Sequence, residues 1–188
     1  MPTLYVIAGC NGAGKTTLSK NLLPEYLGVK EFVNADEIAR GLSPFNAEGV
    51  AFAAGRIMLE RIHELANEGA DFAIETTLSS QTYASLFKEL KAKGYKIFLL
   101  FVYLRSVNEA LKRVKQRVKN GGHNIPEGVI ERRYNRGLKN LILIYLPLAN
   151  RWVIMDNSEE ISIFVAERLE DDIIIHRNEI WQKIKSHE

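Results

Sequence analysis

Residues Gly9 to Thr16 read GCNGAGKT, a complete match to the phosphate-binding pattern G-x-x-x-x-G-K-[ST]. Gly9, Gly12 and Gly14 let the backbone turn tightly and aim successive N–H groups at phosphate oxygens with no Cβ in the way. Lys15 adds a point charge for the β- and γ-phosphates, and Thr16 adds a hydroxyl suited to Mg²⁺, at the positive end of the helix that follows. The flanks agree with the pattern. Thr3-Leu4-Tyr5-Val6-Ile7-Ala8 has the β-branched, apolar character of a buried strand, and Thr17 to Leu23 is helix-compatible until Pro24. A strand, a glycine loop and a helix in this order imply a nucleoside triphosphate site.

Working outward, the same alternation recurs. Glu31 to Asn34 is a short strand candidate delivering Asp36 just past its end, followed by a helical turn or two from Glu37 to Leu42 and a turn at Ser43-Pro44-Phe45-Asn46. Val50, Ala54, Ile57, Met58, Ile62 and Leu65 recur at helical spacing between Ala47 and Glu68, and Gly69 is suited to stop that helix. Asp71 to Ile74 is a buried strand ending in the polar cluster Glu75-Thr76-Thr77, with a helix from Thr82 to Lys93 stopped by Gly94. Lys96 to Leu104, KIFLLFVYL, is too apolar to be half solvated and reads as a central strand of a parallel sheet. Helices are expected at Val107 to Lys119 and Pro126 to about Leu146, and a core strand at Trp152 to Asp156. Edge strands are expected at Ile161 to Ala166 and Ile173 to His176, and a last helix at Glu179 to Lys185.

Such alternation predicts a three-layer α/β/α P-loop fold with a mostly parallel sheet, whose right-handed crossovers align the strand C-termini along one edge. Asp36, Glu75 with Thr76 and Thr77, Arg105 and Asp156 each follow a strand, so all are expected near the phosphate loop. With 188 residues, 46% hydrophobic and 26% charged, the chain fits one domain over 1–188. The single cysteine, Cys10, excludes an internal disulfide. It reads as a tolerated small residue of the loop more than as a redox-sensitive thiol. Met1-Pro2-Thr3 has neither the basic segment nor the apolar stretch of a signal peptide, and Ile97 to Leu104 is too short to span a bilayer. The expectation is a cytoplasmic protein with no membrane partner.

Net charge is only +2, but its distribution is uneven. Arg105 to Lys139 holds ten Lys or Arg (Arg105, Lys112, Arg113, Lys115, Arg117, Lys119, Arg132, Arg133, Arg136, Lys139) against three acids. An arginine-rich helix-loop-helix at about 107–139, hinged at Gly121-Gly122, suits a lid that sets guanidinium groups on charge developing at a γ-phosphoryl group. The alternative is a basic surface that tracks phosphates, as in a nucleic-acid-binding P-loop NTPase or a polynucleotide kinase. The shortage of interleaved aromatic residues for base stacking, Tyr134 aside, weighs against nucleic acid. Asp36 is the leading general-base candidate, although a carboxylate there also suits a helix cap. Asp156 is a weaker rival that also suits a strand end, and His123 is set aside as a loop residue.

Five blocks in order, GCNGAGKT, VNADEIARGL (33–42), FAIETTLSS (72–80), RVKQRVKNGGHNIP (113–126) and IERRY (130–134), resemble the zeta-toxin-like family of P-loop kinases. The resemblance implies an ATP- or GTP-dependent, Mg²⁺-requiring kinase acting on a hydroxyl of a small molecule, UDP-N-acetylglucosamine in the zeta toxins, with an antitoxin protein as partner. It implies that Gly9, Asn11, Gly12, Ala13, Gly14, Lys15, Thr16 and Thr17 cradle the nucleotide, with Arg113 beside it, and that Lys15 and Thr16 meet phosphate and metal. It makes Asp36 the base and places Glu75 and Thr77 in the acceptor pocket. Arg117 and one of Arg132 or Arg133 are implied as lid arginines; Arg132 is assigned to the phosphoryl group and Arg133 to the acceptor.

Overall fold

The computed structural model describes residues 1–188 except 123, 171 and 188, so His123 lies outside the described residues. The elements run β1 (Thr3–Gly9), α1 (Lys15–Tyr26), β2 (Glu31–Asn34), α2 (Ala35–Leu42), a 3₁₀ turn (Glu48–Val50), α3 (Ala51–Glu68), β3 (Phe72–Thr76) and α4 (Thr82–Ala92). They continue with β4 (Lys96–Tyr103), α5 (Val107–Lys119), α6 (Glu127–Asn140), a π-helical turn (Leu141–Tyr145) and α7 (Leu146–Leu148). The chain closes with β5 (Arg151–Asp156), β6 (Ile163–Arg168), β7 (Ile173–Ile175) and α8 (Asn178–Lys185).

All seven strands join one sheet in the order β2-β3-β1-β4-β5-β6-β7. β2 to β5 pair in parallel, and β6 and β7 add antiparallel at one edge. Strand alternation divides the core. Leu4, Val6 and Ala8 of β1 face the larger cluster with Phe72, Ile74, Leu99 and Ile154, under α3, α4, α5, α6 and α8. Ile7, Ala73, Leu100 and Val153 face the other way, onto Leu18, Leu22 and Leu23 of α1. The sheet thus lies between two helical layers, one thick and one thin.

Two local expectations are corrected. α1 continues through Pro24 to Tyr26, because a proline in the last turn forfeits only the bond to the carbonyl of Lys20, which lies at an exposed residue and can reach water. The helix expected as unbroken from 126 to 146 contains the π-helical turn at Leu141–Tyr145. That turn has a visible use. Asn140 Nδ2 donates to the Leu78 carbonyl at 2.8 Å, and the Tyr145 hydroxyl donates to the Ser80 carbonyl. Together they hold the loop after β3, where buried Leu78 takes a left-handed φ of 54° that a leucine rarely adopts.

Candidate functional site

The phosphate loop leaves β1 at Gly9, whose φ is +145° and where any Cβ would run into the Val102 carbonyl of β4. Only glycine lets the loop start this close to the central strand. Gly14, at φ +91°, is the N-cap of α1, so the helix opens on backbone N–H groups with no side-chain cap competing for them. Asn157, just past β5, donates from Nδ2 to the Ala13 carbonyl at 2.7 Å and braces the loop from the far side. Asn157 was not singled out in the sequence; its only signal is the position after a core strand.

Lys15 is buried, and its Nζ donates to the Cys10 carbonyl at 3.0 Å. Glu75 Oε1 stands 3.7 Å from the same ammonium, and the Thr16 hydroxyl lies 2.8 and 3.1 Å from the two Glu75 oxygens. β3 pairs directly with β1, so the carboxylate that ends β3 lies next to the loop that ends β1. This donor set fits Mg²⁺: a hydroxyl and a carboxylate, both hard oxygen ligands, beside a phosphate cradle, as the ion prefers few protein ligands plus phosphates and water. Among the described residues no cluster of three or more His, Cys, Asp or Glu side chains could hold a metal by itself. Cys10 is buried beneath the loop, and burial pushes its thiol up to about 11 although the Lys15 charge pulls it down.

Asp36 is the second residue of α2 and is exposed. It does not cap its helix: Asn34 does, accepting from the Asp36 and Glu37 N–H groups at 2.8 and 3.4 Å. The Asp36 carboxylate is left for the cleft. Two neighbouring cavities meet there. One, of about 210 Å³, is lined by Asn11, Lys15, Asp36, Glu75, Thr77 and Arg133 among others. The second, of about 330 Å³, is lined by Asp36, Arg40, Glu48, Arg117, Ile125 and Arg133 among others. Asp36 and Arg133 line both. Tyr83 also lines the first cavity, and burial raises its phenol, so it remains a hydroxyl donor beside Asp36. Thr77 shares a hydrogen bond with Ser79 at 2.9 Å in that wall.

The basic segment forms α5 and α6, and both are anchored. Ala110, Val114, Ile130 and Leu138 are buried in the main core, and the buried Tyr134 hydroxyl donates to the Leu104 carbonyl at 2.7 Å. Arg133 reaches from α6 to the phosphate loop, with Nη1 at 3.4 Å from Asn11 Oδ1. Arg113 bonds the Ser158 carbonyl at 3.0 Å and Glu109 at 2.8 Å, close against Gly12. Arg132 is exposed and lines neither cavity, and Thr17 is an exposed residue of α1. Arg105 is held away from the cavities by Asp156 at 2.7 Å and Glu159 at 2.9 Å. Asp156 itself is almost fully buried and accepts from the Ser158 N–H, so it ties two strand ends together. Arg40 and Glu48, in the second cavity, were not singled out in the sequence, although Arg40 lies in the block 33–42.

Comparison with known proteins agrees with this fold. The profile of the Zeta toxin family matches residues 1–168. An uncharacterized protein of Haemophilus influenzae is 32% identical over 126 residues, covering 67% of this chain and 88% of the relative. The crystal structure of AvrRxo1-ORF1:-ORF2 with ATP superposes with a TM-score of 0.82 at 19% identity over 100% of this chain, which spans only 64% of that one. A structure from the PezAT chromosomal toxin–antitoxin system of Streptococcus pneumoniae superposes with a TM-score of 0.66 at 17% identity, covering 100% of this chain and 86% of that one.

Proposed function

Because the chain belongs to the zeta toxin family of P-loop kinases, we propose that it transfers the γ-phosphoryl group of ATP or GTP to a hydroxyl of a small molecule held in the second cavity. The observation that carries this reading is the position of Asp36 and Arg133, which line both the cavity at Lys15 and the cavity beside it. A donor phosphate in the first and an acceptor in the second would meet between a carboxylate and a guanidinium.

Each residue then has a task. The loop N–H groups and Lys15 hold the β- and γ-phosphates, and Lys15 exchanges the Cys10 carbonyl for phosphate oxygen. Thr16 and Glu75 would hold Mg²⁺, which when bound supplies charge neutralisation at the phosphate oxygens. Asp36 takes the proton of the acceptor hydroxyl as its oxygen attacks the γ-phosphorus, and the bond to the nucleoside diphosphate breaks on the opposite side. Arg133, with Arg117 from α5, stabilises the charge on the equatorial oxygens. Arg133 replaces Arg132 in this role, since Arg132 lies outside both cavities.

The acceptor is a small polar molecule, with UDP-N-acetylglucosamine the first candidate by family. Arg40, Arg117 and Glu48, which line that cavity, suit an acceptor with both anionic and hydroxyl groups. Two further parts of the proposal are a cytoplasmic location and an antitoxin partner, the second supported by the PezAT toxin–antitoxin system. The test is transfer of labelled γ-phosphate to UDP-N-acetylglucosamine and to a metabolite extract by the wild type, Lys15→Ala and Asp36→Asn. Lys15→Ala should abolish transfer, and Asp36→Asn should abolish it while keeping nucleotide affinity. An Asp36→Asn protein with undiminished transfer would remove Asp36 as the base. Transfer only to RNA or DNA ends would replace the small-molecule reading with that of a polynucleotide kinase.

A further inference from the structure

The sheet ends at β7, three consecutive isoleucines, Ile173, Ile174 and Ile175, paired only to β6. All three are about half exposed, and Phe164 and Leu169 nearby are similarly uncovered. Natural edge strands are blunted by shortness, charge or proline, and β7 has three residues. It is short, but it carries no charge and no proline.

The backbone of this edge has a definite register. The His176 N–H donates to the Val165 carbonyl at 2.9 Å, so residue 176 turns its backbone toward β6. Antiparallel pairs alternate between hydrogen-bonded and non-hydrogen-bonded positions. Ile174, opposite Glu167, therefore also turns inward, while Ile173 and Ile175 present their N–H and C=O groups outward. Asp172 precedes the isoleucines and His176 follows them, its ring Nε2 2.8 Å from Glu167 Oε1 of its own chain, so the three isoleucines are the part of the edge that is left to complement itself.

We infer that β7 pairs antiparallel with β7 of a second copy of this chain, about a two-fold axis at Ile174. In that register Ile173 of one copy lies opposite Ile175 of the other, and their outward groups form a hydrogen-bonded pair on each side of the axis. Ile174 meets its own counterpart at a non-hydrogen-bonded position, and each Asp172 faces a His176. A slip of one residue sets outward groups against inward ones. A slip of two sets Asp172 or His176 against Ile174 and leaves one facing pair of isoleucines instead of three. The contact is isologous, as closed dimers require. It is also short, so the dimer is weak and concentration-dependent. β4, β5 and β6 separate β7 from β1, a span of about 19 Å at the usual strand spacing, so the nucleotide cleft stays open in the dimer.

Sedimentation velocity of the full chain across a concentration series tests this, with Ile174→Lys and Ile174→Glu as variants. The wild type should shift toward twice the monomer mass as concentration rises. Each variant alone should stay monomeric, because like charges face each other across the axis, and a one-to-one mixture of the two should recover the dimer. Only self-pairing of residue 174 gives that recovery. Both variants should keep wild-type nucleotide binding, since Ile174 is remote from the cleft. A second route uses Ile174→Cys and Asp172→Cys under mild oxidation: the first should cross-link two copies and the second should not, with Cys10 buried out of reach. A wild type monomeric at its solubility limit, a variant mixture that stays monomeric, or no cross-link at residue 174 would each overturn the inference.

Discussion

At the scale of single residues, Cys10 and Glu75 show how position overrides residue type. Cys10 occupies a phosphate loop, yet its thiol is pushed up to about 11 by burial, so it is a protonated, packed side chain at neutral pH. It should resist alkylation in the folded protein at pH 8 and react fully in denaturant, measured by mass spectrometry with and without urea. The sign of its pH effect follows. The raised value contributes stability that is complete below the ordinary thiol range and is lost as pH rises through about 11, since the unfolded chain ionises first. Glu75, which the resemblance places in the acceptor pocket, bonds Thr16 and faces Lys15 while lining the same cavity as Thr77. Glu75→Gln should therefore raise the Mg²⁺ concentration for half-maximal transfer by about 10- to 100-fold, the usual effect of disturbing a metal site's supporting groups. An unchanged Mg²⁺ titration would return Glu75 to the acceptor. A strand-ending carboxylate is legible in sequence, but which loop it touches depends on the β3–β1 pairing.

At the scale of elements, α6 decides between two adjacent arginines. Consecutive residues on a helix point about 100° apart, so only one of Arg132 and Arg133 can face the cleft. Ile130, Tyr134, Gly137 and Leu138 mark the buried side, and Arg133 lies at its margin beside Asn11. Arg133→Ala should lower the transfer rate by on the order of 10³, while Arg132→Ala should cost less than about tenfold, compared by single-turnover kinetics. The periodicity that located α6 was visible in the sequence. Its direction of exposure was not, because it follows from the packing of α6 on α5 and on the loop after β3. The π-helical turn was hidden for the same reason: its cause is the tie from Asn140 and Tyr145 to Leu78 and Ser80, more than 60 positions apart in sequence. α2 is the converse case. Asn34 caps it through a purely local bond, and that frees Asp36 for the cleft.

At the scale of the whole molecule, the C-terminal segment is tied to the middle of the sheet by the stacked pair Trp152 and Trp181, with ring centroids 5.8 Å apart. Trp152 is nearly inaccessible, so Trp152→Ala should cost about 3–5 kcal/mol, seen as a lower urea midpoint with an unchanged slope. A much smaller loss would mean that α8 docks independently of β5. The sequence by itself determined the phosphate loop, the succession of strands and helices, and the parallel sheet. These depend on chemistry within a few residues: glycines where a Cβ has no room, a lysine and a hydroxyl at fixed offsets, and apolar periods of two or 3.6. The strand-end positions of Asp36 and Glu75 already pointed to the phosphate loop, but tertiary structure alone decided the contacts made there: Glu75 with Thr16, Arg133 with Asn11, Asn157 with Ala13, and Asp36 and Arg133 between two cavities. The physical reason is that strand order, fixed when the two faces of the sheet bury their apolar residues, sets which strand ends are neighbours, and a residue's place in the sequence does not record that order.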